Sequence, residues 1–147
     1  MQIIKVTSNK KQYLPLLLLA DEEEAMIDRY LERGTMYVLK DGDVKAECLV
    51  TEEGDGILEI KSLATLQQFQ RRGYAKALVN FIETKYKGRF KILQAGTGDS
   101  HATVPFYQKL GFIRSHIIKN FFTDNYSRPI YDGGVLLTDM VYLRKRL

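Results

Sequence analysis

The apolar positions along the chain change period several times, and each change marks an element. Short alternating or continuous apolar runs at 2–7, 35–40, 44–51 and 57–65 predict strands. Asp41-Gly42-Asp43 between the second and third runs is a hairpin signal, and Gly54-Asp55-Gly56 closes the next turn, so three successive strands read as antiparallel. Helical spacing governs 10–20, where Pro15 is tolerable only near the first turn. A second helix is predicted from Asp21 and Glu24, spaced as an N-cap and its reciprocal carboxylate, through the stripe Met26, Ile27, Tyr30 and Leu31 to a stop at Gly34. On that reading the acidic run 21–24 caps a helix and holds no cation. Further on, Ala75, Leu78, Val79, Ile82 and Tyr86 recur at helical spacing up to Gly88, and 91–95 follows as a short strand of the kind a crossover helix returns parallel to its predecessor. Gly96-Thr97-Gly98 reads as a loop and 104–110 as a short helix stopped by Gly111. Residues 112–119 and 136–143 read as a last strand pair joined by a long aromatic and polar segment. The order is mixed α/β, with helices inserted into a largely antiparallel sheet.

Composition narrows the class without naming a partner. With 147 residues, 45% of them hydrophobic, a single domain spanning 1–147 is expected. A net charge of +4 suits an anionic small molecule as well as nucleic acid. Cys48 is the sole cysteine and there are two histidines, so neither a disulfide framework nor a zinc-like ligand set can be assembled. The apolar run 14–20 contains Pro15 and is too short to span a bilayer, and the first residues lack a signal-peptide layout. These features point to a cytoplasmic, metal-independent protein with no membrane segment.

The most informative residues are Gln70-Arg71-Arg72-Gly73-Tyr74-Ala75, a glycine-bearing turn between a strand and an amphipathic helix. A helix start leaves backbone N–H groups unpaired at the positive end of the peptide dipoles and so receives an anion. Gly73 allows positive φ or close backbone approach, and Ala75 keeps the second near position small. Two arginines at a helix start oppose the dipole unless an anion lies between them. Taken alone, a solvated basic turn explains the same residues equally well.

Two motifs together make the chain resemble the GCN5-related N-acetyltransferase (GNAT) superfamily over nearly its whole length. One is Gln/Arg-x-x-Gly-x-Gly/Ala between the family's fourth strand and third helix, met by Gln70, Gly73 and Ala75. The other is Phe106-Tyr107-Gln108-Lys109-Leu110-Gly111-Phe112, similar to the family's fourth-helix segment with its tyrosine in register. The resemblance implies a mixed, mostly antiparallel sheet of about seven strands with four helices, its fourth and fifth strands splayed. It implies acetyl-CoA as cosubstrate, its pantetheine bonded along the edge at Leu63, Ala64 and Thr65 and its pyrophosphate on the amides of Gln70, Arg71, Arg72, Gly73, Tyr74 and Ala75. An amide at Leu63 or its neighbour would polarise the thioester carbonyl.

Acetyl transfer to an amine requires two proton movements. An alkylammonium with a reference pKa of about 10.4 must lose a proton, and the departing thiolate must gain one. By the resemblance Tyr107 serves the thiolate, against the alternative of an aromatic that only packs. Glu59, eleven positions before Gln70 (70 minus 59), matches the strand glutamate of the histone-acetyltransferase branch and is the candidate base. The alternatives are an ion pair with Lys61 on the same strand face, or a water chain in place of a carboxylate. Glu47 on the preceding strand is the reserve choice. Asp99 stands where the family often has an asparagine, and His101, His116 and Cys48 are assigned no role.

The family's acceptor site corresponds here to the first two helices and to 120–134, where Phe121, Phe122, Tyr126 and Tyr131 lie among Asp124 and Asp132. Aromatics beside carboxylates suit an amine, and equally a packed loop or a homodimer contact. Arg144-Lys145-Arg146 is a terminal charge run with little bearing on nucleic acid. The expected activity is acetyl-CoA-dependent N-acetylation of a small-molecule, peptide or protein amine by direct attack in a ternary complex. The rival is a non-catalytic acyl-CoA sensor or interaction module of the same fold.

Overall fold

The computed structural model describes all 147 residues. Nine strands are formed: β1 (Gln2–Val6), β2 (Thr35–Asp41), β3 (Asp43–Glu52), β4 (Ile57–Thr65), β5 (Ile92–Gly98), β6 (Ile113–Ile118), β7 (Tyr131–Asp132), β8 (Val135–Leu136) and β9 (Met140–Arg146). The five helices are α1 (Leu14–Ala20), α2 (Glu24–Ile27), α3 (Tyr74–Tyr86), α4 (Val104–Lys109) and α5 (Phe121–Asn125). Seven strands make one sheet in the order β1-β2-β3-β4-β5-β9-β6, and β7 with β8 forms a separate hairpin. Every neighbour pair in the sheet is antiparallel except β4 and β5, which α3 joins as a crossover.

Each face of the sheet is covered because the strand pattern is apolar on both sides. Tyr74, Leu78, Val79, Ile82 and Tyr86 of α3, with Val104 and Tyr107 of α4, pack on Cys48, Val50, Leu58, Ile60 and Leu93. On the other face Leu17 of α1 and Ile27, Tyr30 and Leu31 cover Met36, Val38 and Leu49. A third cluster, Phe122, Ile130 and Leu137, lies under the β7–β8 hairpin.

The feature that positions the site is an irregularity in β4. Leu49 pairs with Ser62 but Val50 pairs with Ile60, so Lys61 is an extra residue and β4 is bulged there. The bulge reverses the alternation of side chains. Leu58 and Ile60 face α3 before it and Leu63 after it, while Ser62 turns toward α1. Pairing of β4 with β5 ends at the same place: the ladder runs from Ile57–Ile92 to Ile60–Ala95 and stops. Beyond it β4 stays bonded to β3 and β5 stays bonded to β9, so the sheet divides into two wings and the edge of Lys61–Thr65 facing β5 is left unpaired.

Three local expectations change. The second helix is a single turn capped at Glu23, with no side-chain cap bond, and Asp21 does not cap it. Gly96-Thr97-Gly98 is not a loop but the end of β5, paired with Tyr142, Val141 and Met140. Glycine is required there by close approach: a Cβ on Gly96 would lie 2.7 Å from Met140 Sδ, and one on Gly98 2.5 Å from a Leu137 methyl. Finally, Leu136 belongs to β8, and the last sheet strand begins at Met140.

Candidate active site

The turn before α3 is shaped by two left-handed residues, Arg71 at φ 63° and Gly73 at φ 86°. Nothing lies within 4 Å of where a Gly73 Cβ would project, so it is the φ that calls for glycine. With this geometry the backbone N–H groups from Arg71 to Lys76 have no protein acceptor; the first helical bond is donated by Ala77 to Gly73 O. This row of free donors at the start of a thirteen-residue helix forms a concavity suited to an anion. Gln70 Nε2 donates to Thr65 O at 3.3 Å, and Tyr74 Oη donates to Asp41 Oδ2 at 2.6 Å, tying the turn to β4 and to the β2 end. The Arg72 guanidinium lies over Phe69, 5.2 Å from the ring centre.

Two cavities open where the sheet divides. The larger, about 710 Å³, runs from the free N–H groups along the unpaired β4 edge to α4. Leu63, Ala64, Thr65, Gln70, Arg71, Gly73, Tyr74 and Ala75 all line it, while Arg72 does not. The smaller, about 360 Å³, lies between the wings, bounded by Asp21 and Glu22 after α1, Lys61 and Ser62 of β4, Gly96 to Gly98 of β5, and Tyr126, Tyr131 and Asp132 of the C-terminal segment. Leu19, Leu63, Thr103 and Tyr107 line both. Tyr107 therefore stands at the junction. Its ring packs edge-on against Phe106 and Phe112, and its hydroxyl bonds to no protein group. Burial, with Cys48 and Glu47 nearby, raises its pKa and keeps the phenol protonated.

The roof of the smaller cavity is a polar tie between distant segments. Asp21 accepts from Tyr30 Oη at 3.1 Å and from Tyr126 Oη at 2.7 Å. Glu23 accepts from Ser127 N and Oγ, and Arg29 donates to Asn125 at 3.0 Å. Burial raises the Asp21 pKa against the lowering effect of the two tyrosines. The acidic run thus borders a cavity and makes no side-chain cap bond to α2, a role the local spacing concealed.

The geometry agrees with what is found in other proteins. Residues 32–114 match the family model of the acetyltransferase (GNAT) domain. Over 131 residues, 87% of this chain and 84% of the relative, the sequence is 36% identical to YvbK of Bacillus subtilis strain 168, described as an uncharacterized N-acetyltransferase. The fold is similar to that of a GNAT family acetyltransferase from Elizabethkingia anophelis with acetyl-CoA bound, at TM-score 0.93 and 34% identity, over 99% of this chain and 97% of that one. It is also similar to a Bacillus subtilis acetyltransferase in complex with CoA, at TM-score 0.89 and 30% identity, over 99% and 98%. The chain belongs to the GNAT acetyltransferase family.

In this GNAT acetyltransferase two buried carboxylates lie near the division of the sheet. Glu59, 3% exposed, lines neither cavity. Gln94 Nε2 donates to its Oε1 at 2.5 Å, Tyr142 Oη donates to its Oε2 at 3.3 Å, and Lys61 Nζ pairs with Oε2 at 2.9 Å. The ion pair with Lys61, weighed against a base role from the sequence, is formed. Glu47 differs: it is wholly buried, accepts from Ser62 Oγ at 2.5 Å, and leaves Oε2 without a partner. Burial pushes its pKa up to about 8, against the lowering effect of the Ser62 bond. Ser62 was absent from the residues singled out by sequence, since only the bulge at Lys61 turns it toward Glu47 and the cavity. Asp99, on the GNAT loop after β5, pairs at the surface with Arg114 at 3.0 Å.

Proposed function

We propose that this acetyltransferase moves the acetyl group of acetyl-CoA onto a primary amine of a small molecule, peptide or protein by direct attack in a ternary complex. One observation carries the proposal: two cavities of different character meet at Tyr107, in the gap between β4 and β5. The larger fits the cosubstrate. Its free N–H row and Arg71 suit a pyrophosphate, and its unpaired edge at Leu63, Ala64 and Thr65 suits the amide-bearing pantetheine arm. Acetyl-CoA would supply an acyl group activated as a thioester. The smaller cavity, with Asp21, Glu22 and Asp132 among aromatic rings, suits a cationic acceptor.

Within this scheme a β4 amide near Leu63 stabilises charge developing on the carbonyl oxygen. Tyr107 donates its proton toward the departing sulfur, which its raised pKa allows because the phenol stays protonated. A second cavity reaching the same tyrosine favours an enzyme over a cofactor sensor, which needs only the larger cleft. Calorimetric titration with acetyl-CoA and CoA, then thiol release against spermidine, tyramine and lysyl peptides, tests the proposal. Binding with thiol release for any of these amines upholds it. Binding without release favours the sensor, and absence of binding removes the assigned cofactor cleft.

A further inference from the structure

The proposed reaction requires the acceptor ammonium to lose a proton inside the smaller cavity, and the cavity lining contains few groups able to take it. Asp21 accepts two tyrosine hydroxyls, Glu22 and Asp132 also line the cavity but are an exposed and a half-buried residue, and Glu59 lies outside the lining with its oxygens engaged. Ser62 leads instead to a carboxylate in the protein interior. Ser62 lines the cavity and its Oγ donates to Glu47, a residue that does not line it. Glu47 Oε2 has no hydrogen-bond partner, although the residue is 0% exposed. A buried carboxylate oxygen left unpaired is costly and is uncommon without a functional reason.

We propose that Glu47 is the proton acceptor for the amine, reached through the hydroxyl of Ser62. This rests on the acetyltransferase reading above. In the step, the ammonium N–H bond breaks and its proton passes to Ser62 Oγ as the Ser62 proton passes to the Glu47 carboxylate. The net change is one proton moved from ammonium to Glu47, leaving a neutral amine beside an unchanged serine. The second amine proton goes to the departing thiolate by way of Tyr107, and Glu47 returns its proton to solvent through the same serine after product leaves. Because it acts through Ser62, Glu47 is a positioning and relay residue rather than a group in contact with substrate.

The surroundings of Glu47 suit this task. On β2 its pairing partner is Val38, and on β4 it is Ala64. Helix α1, which packs on β3 and β4, carries no titratable side chain between Leu14 and Ala20. The ionisable groups that feel its charge are Tyr30 after α2, Tyr107 on α4 and Cys48 beside it, all three held protonated by burial. With no cation to trap the carboxylate, its basicity is set by burial and by the single serine bond.

The test combines kinetics with a spectroscopic titration of the protein without ligands. Glu47→Gln keeps the size and the Ser62 partner but cannot accept the proton. It should lower kcat for the best alkylamine of the panel on the order of 100-fold, with acetyl-CoA affinity unchanged and the alkaline-rising limb of kcat/KM lost. Ser62→Ala should lower kcat at least roughly tenfold and shift the same limb. Infrared difference spectra of the wild type should show a buried protonated carboxyl that ionises with a midpoint near 8 and is missing in Glu47→Gln. Wild-type turnover that Glu47→Gln leaves unchanged in rate and pH profile would overturn the relay alone, as would a carboxyl band that fails to titrate. If the wild type binds acetyl-CoA yet releases no thiol with any amine, the acetyltransferase reading fails and the relay fails with it.

Discussion

Two buried acids of opposite character, Tyr107 and Glu47, frame the proposed chemistry at the residue scale. Tyr107→Phe removes only the hydroxyl, and its ring keeps the contacts with Phe106 and Phe112. It should lower kcat roughly 100-fold without weakening acetyl-CoA binding; an unchanged kcat would remove Tyr107 as the acid. Glu47 also carries a stability prediction. Its folded pKa of about 8 lies above the 4.5 of an ordinary glutamate, so the folded protein holds a proton that the unfolded chain releases. Stability is then greatest below 4.5 as far as this group is concerned, and falls as pH rises toward 8. Glu47→Gln, which stays neutral, should abolish that fall and exceed the wild type at alkaline pH by on the order of a few kcal/mol, read by urea unfolding at several pH values. A flat wild-type dependence would show that the carboxyl does not retain its proton on folding.

Elements that depend on local patterning were the legible ones. β1 to β4, α3 and α4 fall where alternation, helical spacing and turn glycines put them, and the Gln70 to Ala75 turn was marked by Gly73. What escaped was decided by distant chain. Gly96-Thr97-Gly98 looks like a loop because glycines usually break strands, yet here they make room for Met140 and Leu137. Asp21 looks like a cap because Glu24 is three residues on, yet Tyr126, 105 residues away, claims it. The bulge at Lys61 has no local signature, and without it neither the division of the sheet nor the Glu47–Ser62 pair could be read. Two variants test these elements. Gly73→Glu places a charged side chain at φ 86° beside the free N–H row, and should abolish acetyl-CoA binding in calorimetry. Gly96→Val drives a side chain into Met140 and Tyr142 and should lower stability by about 1–3 kcal/mol in thermal or urea unfolding.

The whole molecule is two wings of one sheet that share backbone bonds from Ile57 to Ile60 and then part. Across the gap on the side of the smaller cavity the connection is made by side chains: Asp21 with Tyr126, Glu23 with Ser127, Arg29 with Asn125. Asp21→Ala should therefore quicken amide hydrogen exchange together in 24–31 and 121–127 while leaving α3 unchanged, and exchange confined to one segment would show that they are not coupled. The unpaired edge at Lys61–Thr65 has a different consequence, for the free energy of the fold itself. Backbone groups that no strand satisfies are an unfinished part of the native state, and whatever pairs with them stabilises the folded chain alone. With acetyl-CoA as that ligand, a concentration one hundredfold above Kd adds about 2.7 kcal/mol to unfolding. The melting temperature of this protein would then rise with the concentration of acetyl-CoA around it.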